Sequence, residues 1–200
     1  MVKYTLHYFN GRGLAESIRM IFAYKGIEFE DHRHEFSDFK KDQVDGKKLP
    51  ESFAILRYLA KQNGLAGKTD FDAAEIDAIA YLWKGKEDKQ NFMTAYFPYV
   101  MVLTGRKEGD KDKLRKEALL PALEQYIPIL ERLLKESGNG FFHKSGLSFA
   151  DFFAASMFYN AQKFMGDDFN KYKTLIEHSE RIHSLPKVKE YVAKRPDSQF

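Results

Sequence analysis

Tyr8 lies in the stretch TLHYFNGRGLAES, Thr5 to Ser17, where a strand pattern runs into a turn with two glycines, Gly11 and Gly13, and then into a helix. Such an arrangement usually holds an anion, because backbone N–H groups and the helix dipole both favour negative charge at a helix N-terminus. A dinucleotide turn would need a third glycine at position 16, where Glu16 stands, and no Gly-Lys-Ser/Thr follows for a phosphate loop. A phenol fits different chemistry. With a pKa of about 10 it stays neutral near pH 7 and donates a hydrogen bond to an anion without ionising. A thiol of pKa about 8.5, held by that bond and by the dipole, is drawn toward its thiolate. The competing reading is packing, since Tyr8 shares its parity with Val2, Tyr4 and Leu6 on one strand face.

The chain has no cysteine, so disulfides, thiolate metal sites and a cysteine nucleophile are excluded, and any sulfur chemistry uses a ligand's sulfur. His32 and His34 sit two apart, on one face of a strand, but no third ligand is near in sequence, which reads as surface histidines and no metal. His178 and His183 lack the i, i+4 spacing of a zinc helix. Ser148 and Asp151 read as a capping box. Arg12 and Glu16 read as buttresses of the turn and of subunit contacts. No Ser/His/Asp order stands out.

The elements that must position Tyr8 follow from periodicity. Val2 to Phe9 nearly alternates and reads as a strand. Leu14, Ile18, Ile21 and Phe22 form one helical stripe that Gly26 closes, and alternation resumes at Ile27. Residues up to about 34 are therefore a β-α-β unit with parallel strands. Asp45-Gly46 is a hairpin signal. A helix follows, with Ser52 at its start and Asn63-Gly64 as its stop.

After residue 67 the strand signals end. Thr69 and Asp72 make a capping box for a long helix running to about Leu103, bent at Gly85 or Pro98. A second spans Leu114 to Leu134, and a third starts behind Ser148, with Leu147 stapled onto Phe152. Shorter helices fall near Lys173–His183 and Lys187–Lys194. The fold class is thus α/β plus all-α, with domains at residues 1–67 and 68–200.

Composition narrows the class. Hydrophobic residues make up 44% of the 200-residue chain, enough for a substantial core, and 32 basic against 29 acidic residues leave a net charge of +3. Charge this well mixed argues against nucleic acid as the partner. The N-terminus lacks a signal-peptide core and no apolar run could cross a bilayer, so a cytoplasmic protein without membrane contact is expected.

The stretch YFNGRGLAESIRMIFAYKGIEFEDHR, then VDGKKLPESFAILRYLA, then LSFADFF in the helical half, resembles the glutathione S-transferase family over nearly the whole chain. The likeness is greatest to the sigma class, which includes prostaglandin D synthases and many worm enzymes. It implies a thioredoxin-like N-terminal domain that binds glutathione as co-substrate, an all-helical C-terminal domain and a homodimer. The family's catalytic tyrosine falls on Tyr8. Its γ-glutamyl serine falls on Ser52, and the residue before it, usually glutamine, is Glu51. The expected tryptophan is Phe39, the expected lysine is Gln43, and the arginine often found after the glycine is Leu14. The acid supplied across the dimer would fall near Gly85.

The resemblance also implies a cis-proline strand and its turn, and these are absent between Gln43 and Val44. The agreement of the rest of the chain with an intact fold favours an absent but native segment over a true deletion. The electrophile pocket would draw on Phe9, Gly13, Leu14, Phe92, Phe153, Met157 and Phe200, with core packing an even alternative for Phe153 and Met157. The implied function is conjugation of glutathione to small hydrophobic electrophiles in detoxification, with peroxidase or prostaglandin isomerase side activity. Phe39 and Leu14 depart from the synthase pattern. The rival is a non-catalytic, transferase-like carrier of haem or another apolar ligand.

Overall fold

The structure, a computed structural model, describes residues 3–35, 46–84 and 92–198. Strand β1 (Tyr4–Phe9) leads through a 3-10 turn (Gly13–Ala15) into helix α1 (Glu16–Lys25), and strand β2 (Phe29–His34) returns beside β1. The two strands pair in parallel from Tyr4 opposite Phe29 to Phe9 opposite His34, as a β-α-β unit requires. Gly26 closes α1 in the left-handed conformation at φ 64°, and the Ile27 N–H turns back to the Phe22 carbonyl at 2.9 Å. That bond removes Ile27 from the strand expected to start there, so β2 begins at Phe29.

Helix α2 (Ser52–Gln62) starts at the expected serine and stops at Asn63. Residues 47–50 before it form no strand, so the hairpin signalled at Asp45-Gly46 has no second arm there; Asp45 itself lies outside the described residues. The expected long helix is described as α3 (Asp70–Lys84) and α4 (Phe92–Leu103), with Pro98 inside α4. Gly85 lies outside the described residues. Thr69 and Asp72 form the expected capping box, with Asp72 N–H on Thr69 Oγ1 at 3.0 Å and Thr69 N–H on the Asp72 carboxylate at 3.3 Å.

The helix expected over Leu114 to Leu134 is broken near its start. It comprises α5 (Lys111–Leu114), a π turn (Arg115–Leu119) and α6 (Leu120–Ser137). Pro121 explains the widened turn: it has no N–H for the carbonyl four residues back, and its ring would clash with that carbonyl in a regular helix. Helices α7 (Phe149–Met165), α8 (Asp167–Asn170), α9 (Lys173–His183) and α10 (Pro186–Lys194) complete the chain. Among the described residues, no helix is long and apolar enough to cross a membrane.

One continuous hydrophobic cluster joins the two halves. Helix α1 packs on α2 and also on α7 and α10. Tyr24 meets Phe152 with ring centroids 5.4 Å apart, and Phe53 of α2 meets Phe153 at 4.8 Å. The Phe149 N–H binds the Leu65 carbonyl at 3.0 Å, tying the start of α7 to the segment after α2. The helix mouth that follows Tyr8 is therefore braced from behind by the helical half.

Candidate functional site

Tyr8 is the last residue but one of β1, half-buried, with its hydroxyl at the mouth of the 3-10 turn. Its Oη accepts the Leu14 N–H at 3.1 Å. Gly13 allows that approach: its φ is +43°, and a Cβ there would lie 2.7 Å from Tyr8 Oη. Only glycine meets both conditions without displacing the ring. Burial pushes the Tyr8 pKa up, and the Leu14 N–H and the Arg19 guanidinium pull it partly back. The phenol thus stays protonated at neutral pH. An accepted N–H leaves its own proton for another acceptor.

The loop beneath this hydroxyl is held by buried charge. Arg19 of α1 is fully buried and donates Nη1 to the Gly11 carbonyl at 2.7 Å and Nε to Asp31 Oδ1 at 2.9 Å. Its guanidinium lies 5.9 Å from the Tyr8 ring centroid. Asp31 also accepts from Arg33 Nε at 2.7 Å. Glu16 is buried between Arg195 Nη1 at 2.5 Å, Arg19 Nη1 at 3.4 Å and the Tyr191 hydroxyl at 3.2 Å. Arg12 reaches into the helical half, donating to Asn160 Oδ1 at 3.1 Å and to the Ser198 carbonyl at 2.8 Å. Arg12 and Glu16 buttress the turn, as their positions suggest. Arg19 escaped the sequence reading, although a charged residue within the apolar stripe of α1 is a visible sign of a buried partner.

The second helix mouth is that of α2. Glu51 precedes it at φ 70°, ψ 112°, the one described non-glycine residue with positive φ. Such a backbone is strained by about 1–3 kcal/mol and concentrates at binding sites. The Glu51 side chain makes no capping bond to this helix, and Ser52 stands half-buried at its first position. Its N-terminal N–H groups and hydroxyl suit a carboxylate.

The pocket candidates divide. Phe9, Gly13 and Leu14 are half-buried around Tyr8, with Phe9 edge-on to Tyr8 at 5.5 Å. Phe92, Phe153 and Met157 are 1%, 1% and 2% exposed within the core. Phe92 stacks on Tyr96 and Phe153 packs on Phe53. Phe39, Gln43 and Phe200, and the Gln43–Val44 junction, lie outside the described residues.

His32 and His34 do have a third histidine beside them. Parallel register sets His7 opposite His32, and its Nδ1 lies 3.0 Å from His34 Nε2. Sequence spacing could not show a partner on the neighbouring strand.

Ser148 and Asp151 form the capping box of α7, completely buried. Asp151 accepts from the Ser148 N–H and hydroxyl at 2.8 Å each, from the Phe142 N–H at 2.8 Å, and pairs with His178 Nε2 at 2.9 Å.

Two family models match this chain: the glutathione S-transferase N-terminal domain over residues 4–61 and the glutathione S-transferase C-terminal domain over 93–195. This chain belongs to the glutathione S-transferase family. It is 34% identical to probable glutathione S-transferase 6 of Caenorhabditis elegans, covering 100% of both chains. That alignment runs over 215 positions against the 200 residues here, so the relative carries residues with no counterpart in this transferase. Among solved structures, it resembles the crystal structure of the transferase from Ascaris lumbricoides at TM-score 0.88 and 34% identity, with 100% of each chain covered. It also resembles a monomeric transferase from the hookworm Necator americanus at TM-score 0.87 and 36% identity, again over 100% of each. The small first domain of this transferase is thioredoxin-like and the second is helical, as in the family.

Proposed function

We propose that this transferase is a cytoplasmic, sigma-type enzyme in which Tyr8 activates glutathione for attack on hydrophobic electrophiles. The observation that carries this reading is the Tyr8 hydroxyl, whose oxygen accepts the Leu14 N–H while its proton remains for a thiolate. Tyr8 donates that hydrogen bond to the sulfur, and the N-terminal dipole of the 3-10 turn and α1 adds to it, lowering the thiol pKa. The thiol proton leaves to solvent, the sulfur lone pair forms the new bond to carbon, and the leaving group or an added proton closes the balance. Ser52 and the first N–H groups of α2 hold the γ-glutamyl carboxylate, and Glu51 accepts from the ammonium. Phe39 and Gln43 serve the rest of the tripeptide, and Phe9, Gly13 and Leu14 face the electrophile. No metal takes part in this step. Detoxification is the role that follows.

The test is turnover of a chlorinated dinitrobenzene with glutathione, compared with Tyr8→Phe. A wild-type rate well above the variant's supports the reading. Equal slow rates with tight binding of apolar dyes favour the rival, a carrier of haem or another apolar ligand. The substitutions at Phe39, Gln43 and Leu14 speak for that rival, because Phe39 and Leu14 each lack a polar donor expected toward glutathione and Gln43 offers a neutral donor in place of a charge. Prostaglandin isomerisation is a side activity to assay in parallel.

A homodimer completes the proposal. Tyr58 and Tyr81 are 44% and 42% exposed, and Arg57 donates to Tyr81 Oη at 2.8 Å, a partly apolar surface on α2 and α3. Sedimentation at micromolar concentration reads the stoichiometry, and Tyr58→Asp or Tyr81→Asp should shift it to monomer. A monomeric wild type would remove this part and leave the chemistry standing.

A further inference from the structure

The loop between α6 and α7 carries a constellation that the chemistry at Tyr8 does not use. Ser145 Oγ lies 2.7 Å from His143 Nδ1, and His143 Nε2 lies 3.2 Å from the Glu75 carboxylate of α3. The network assigns the proton on this ring. The Ser145 backbone N–H also faces His143 Nδ1, at 3.2 Å, and a backbone N–H can only donate. Nδ1 is therefore the bare nitrogen, and Nε2 carries the proton that Glu75 accepts. The Glu75 carboxyl is held below its ordinary pKa, chiefly by that bond and further by Lys144 at 3.4 Å, against the opposing effect of partial burial. A hydroxyl on a bare imidazole nitrogen, with a carboxylate behind the ring, is the arrangement that activates a serine nucleophile. Stapling the loop to α3 would need only the Nε2 bond, not a hydroxyl on the opposite nitrogen.

We propose that Ser145 is an acyl-acceptor site, with His143 as its general base and Glu75 positioning that base, for activated esters with a short apolar acyl chain. The acyl class follows from the space beside the ring. A cavity of about 390 Å³ between α3 and α6 is walled by Ile79, Leu82, Ile129, Leu133 and Phe142, and His143 and Glu75 belong to its lining. Ser145 is half-buried and His143 is buried, so a reagent reaches the hydroxyl while the base stays shielded. The loop is preset. Asn139 Nδ2 and the Gly146 N–H both donate to the His143 carbonyl at 3.0 Å, and the Phe142 N–H donates to Asp151 at 2.8 Å. In the step, Ser145 Oγ attacks the ester carbonyl carbon and passes its proton to His143 Nδ1, while Glu75 faces the imidazolium. The bond from that carbon to the leaving oxygen breaks, and the proton goes from His143 to the departing alcohol. The product is an acyl ester on Ser145, which water releases by the same proton path. Neither glutathione nor Tyr8 takes part.

A cation is the rival occupant, because one ligand atom each of Asp72, Glu75 and His143 lies within 4.8 Å of the others. The tautomer opposes it: Nε2 is protonated while Nδ1 accepts. The Asp72 carboxylate is also engaged, by the Lys68 and Thr69 N–H groups.

The experiment treats the full chain with p-nitrophenyl butyrate in the absence of glutathione and reads nitrophenolate release and intact mass. Wild type should gain one butyryl group per chain, mapped by peptide mass spectrometry to Ser145. Ser145→Ala should lose the adduct. His143→Gln should slow its formation by about 10²–10⁴-fold, the usual contribution of a positioned general base. Tyr8→Phe should acylate at the wild-type rate, which separates this site from the transferase reading, and a chelator should change nothing. Glu75→Gln should slow acylation with an unchanged circular dichroism spectrum, and proton–nitrogen NMR should show His143 losing its single Nε2–H tautomer. Because the chain has no cysteine, Ser145→Cys adds a single thiol. Its alkylation by iodoacetamide should slow about tenfold or more when His143→Gln is added, which keeps the proposal testable if Ser145→Ala unfolds. A wild type without an adduct, an adduct on another residue, or an equal rate in His143→Gln overturns the proposal. So does a slowed rate in Tyr8→Phe or in the presence of the chelator.

Discussion

Two helix mouths in this transferase are built from opposite instructions. At α7 the first-turn groups are sealed: Ser148 and Asp151 cap each other's backbone, and Asp151 gathers Phe142 and His178 as well. At the 3-10 turn leading into α1, and again at α2, the side chain of the N-cap residue makes no capping bond. Among the described residues, the side-chain oxygen that accepts at the first of these is the Tyr8 phenol, a neutral group with a proton still to give. A sealed mouth stabilises the fold, and an open mouth holds positive potential in readiness for an anion. The difference predicts that substitutions at α7 change stability and substitutions at the open mouths change binding and rate.

The largest effect should follow Asp151→Ala. The change leaves the Ser148 and Phe142 donors and His178 buried without their acceptor, and stability should fall by about 3–5 kcal/mol. Urea unfolding reads this directly. A loss below about 1 kcal/mol would mean the seal is ornamental, since single exposed caps are already worth that much.

Tyr8→Phe comes next and should act on rate. A hydrogen bond to a charged group contributes about 1.5–3 kcal/mol, or roughly a ten- to hundredfold loss in kcat/KM. Stability should move little, because only the Leu14 N–H loses a partner. The pH profile gives the sharper reading. Burial raises the Tyr8 pKa, so the phenol remains a donor throughout neutral pH. Wild-type kcat/KM should therefore rise with pH on a limb set by the bound thiol, placed below the free thiol's value. In Tyr8→Phe the limb should move up. Coincident limbs would assign the thiol shift to the helix mouth alone.

Glu51→Gly tests the second open mouth. Release of a backbone at φ 70° recovers about 1–3 kcal/mol of strain, against about 0.4–1 kcal/mol of added unfolded-chain entropy. A net gain of about 1 kcal/mol in stability should accompany weaker glutathione retention on an affinity resin. Unchanged retention would separate the strained backbone from binding.

How much of this was legible in the chain depends on the range of each interaction. The Ser148–Asp151 and Thr69–Asp72 boxes lie within four residues and read correctly, as did the ends of α2 and α9. Tyr8 read two ways, as core or as donor, and periodicity had no means of choosing, because a strand-end residue belongs to both the packed face and the mouth. What the sequence hid is long-range. Glu16 finds Arg195 and Tyr191, and His7 finds His34, only through folding. The π turn at Arg115–Leu119 is hidden for a local reason: the effect of Pro121 falls on the turn before it.

The smallest effect expected concerns His183, the last residue of α9, packed near Tyr159 of α7. Its Nδ1 faces the Ser179 carbonyl at 2.8 Å, and its Nε2 is buried with no partner among the described residues. Burial holds its pKa below the ordinary value; the Ser179 carbonyl and Glu16 oppose that, and Arg195 and His178 reinforce it. The folded protein therefore binds this proton less readily than the unfolded chain does. As pH falls below about 6.5, the ordinary histidine value, the unfolded state gains protons first, so stability declines toward the folded pKa and is unaffected above that window. His183→Asn should flatten this part of the curve. Urea midpoints at half-unit steps from pH 5 to 7.5 resolve it, and an identical slope in the variant would assign acid sensitivity to other groups and leave His183 as packing beneath Tyr159.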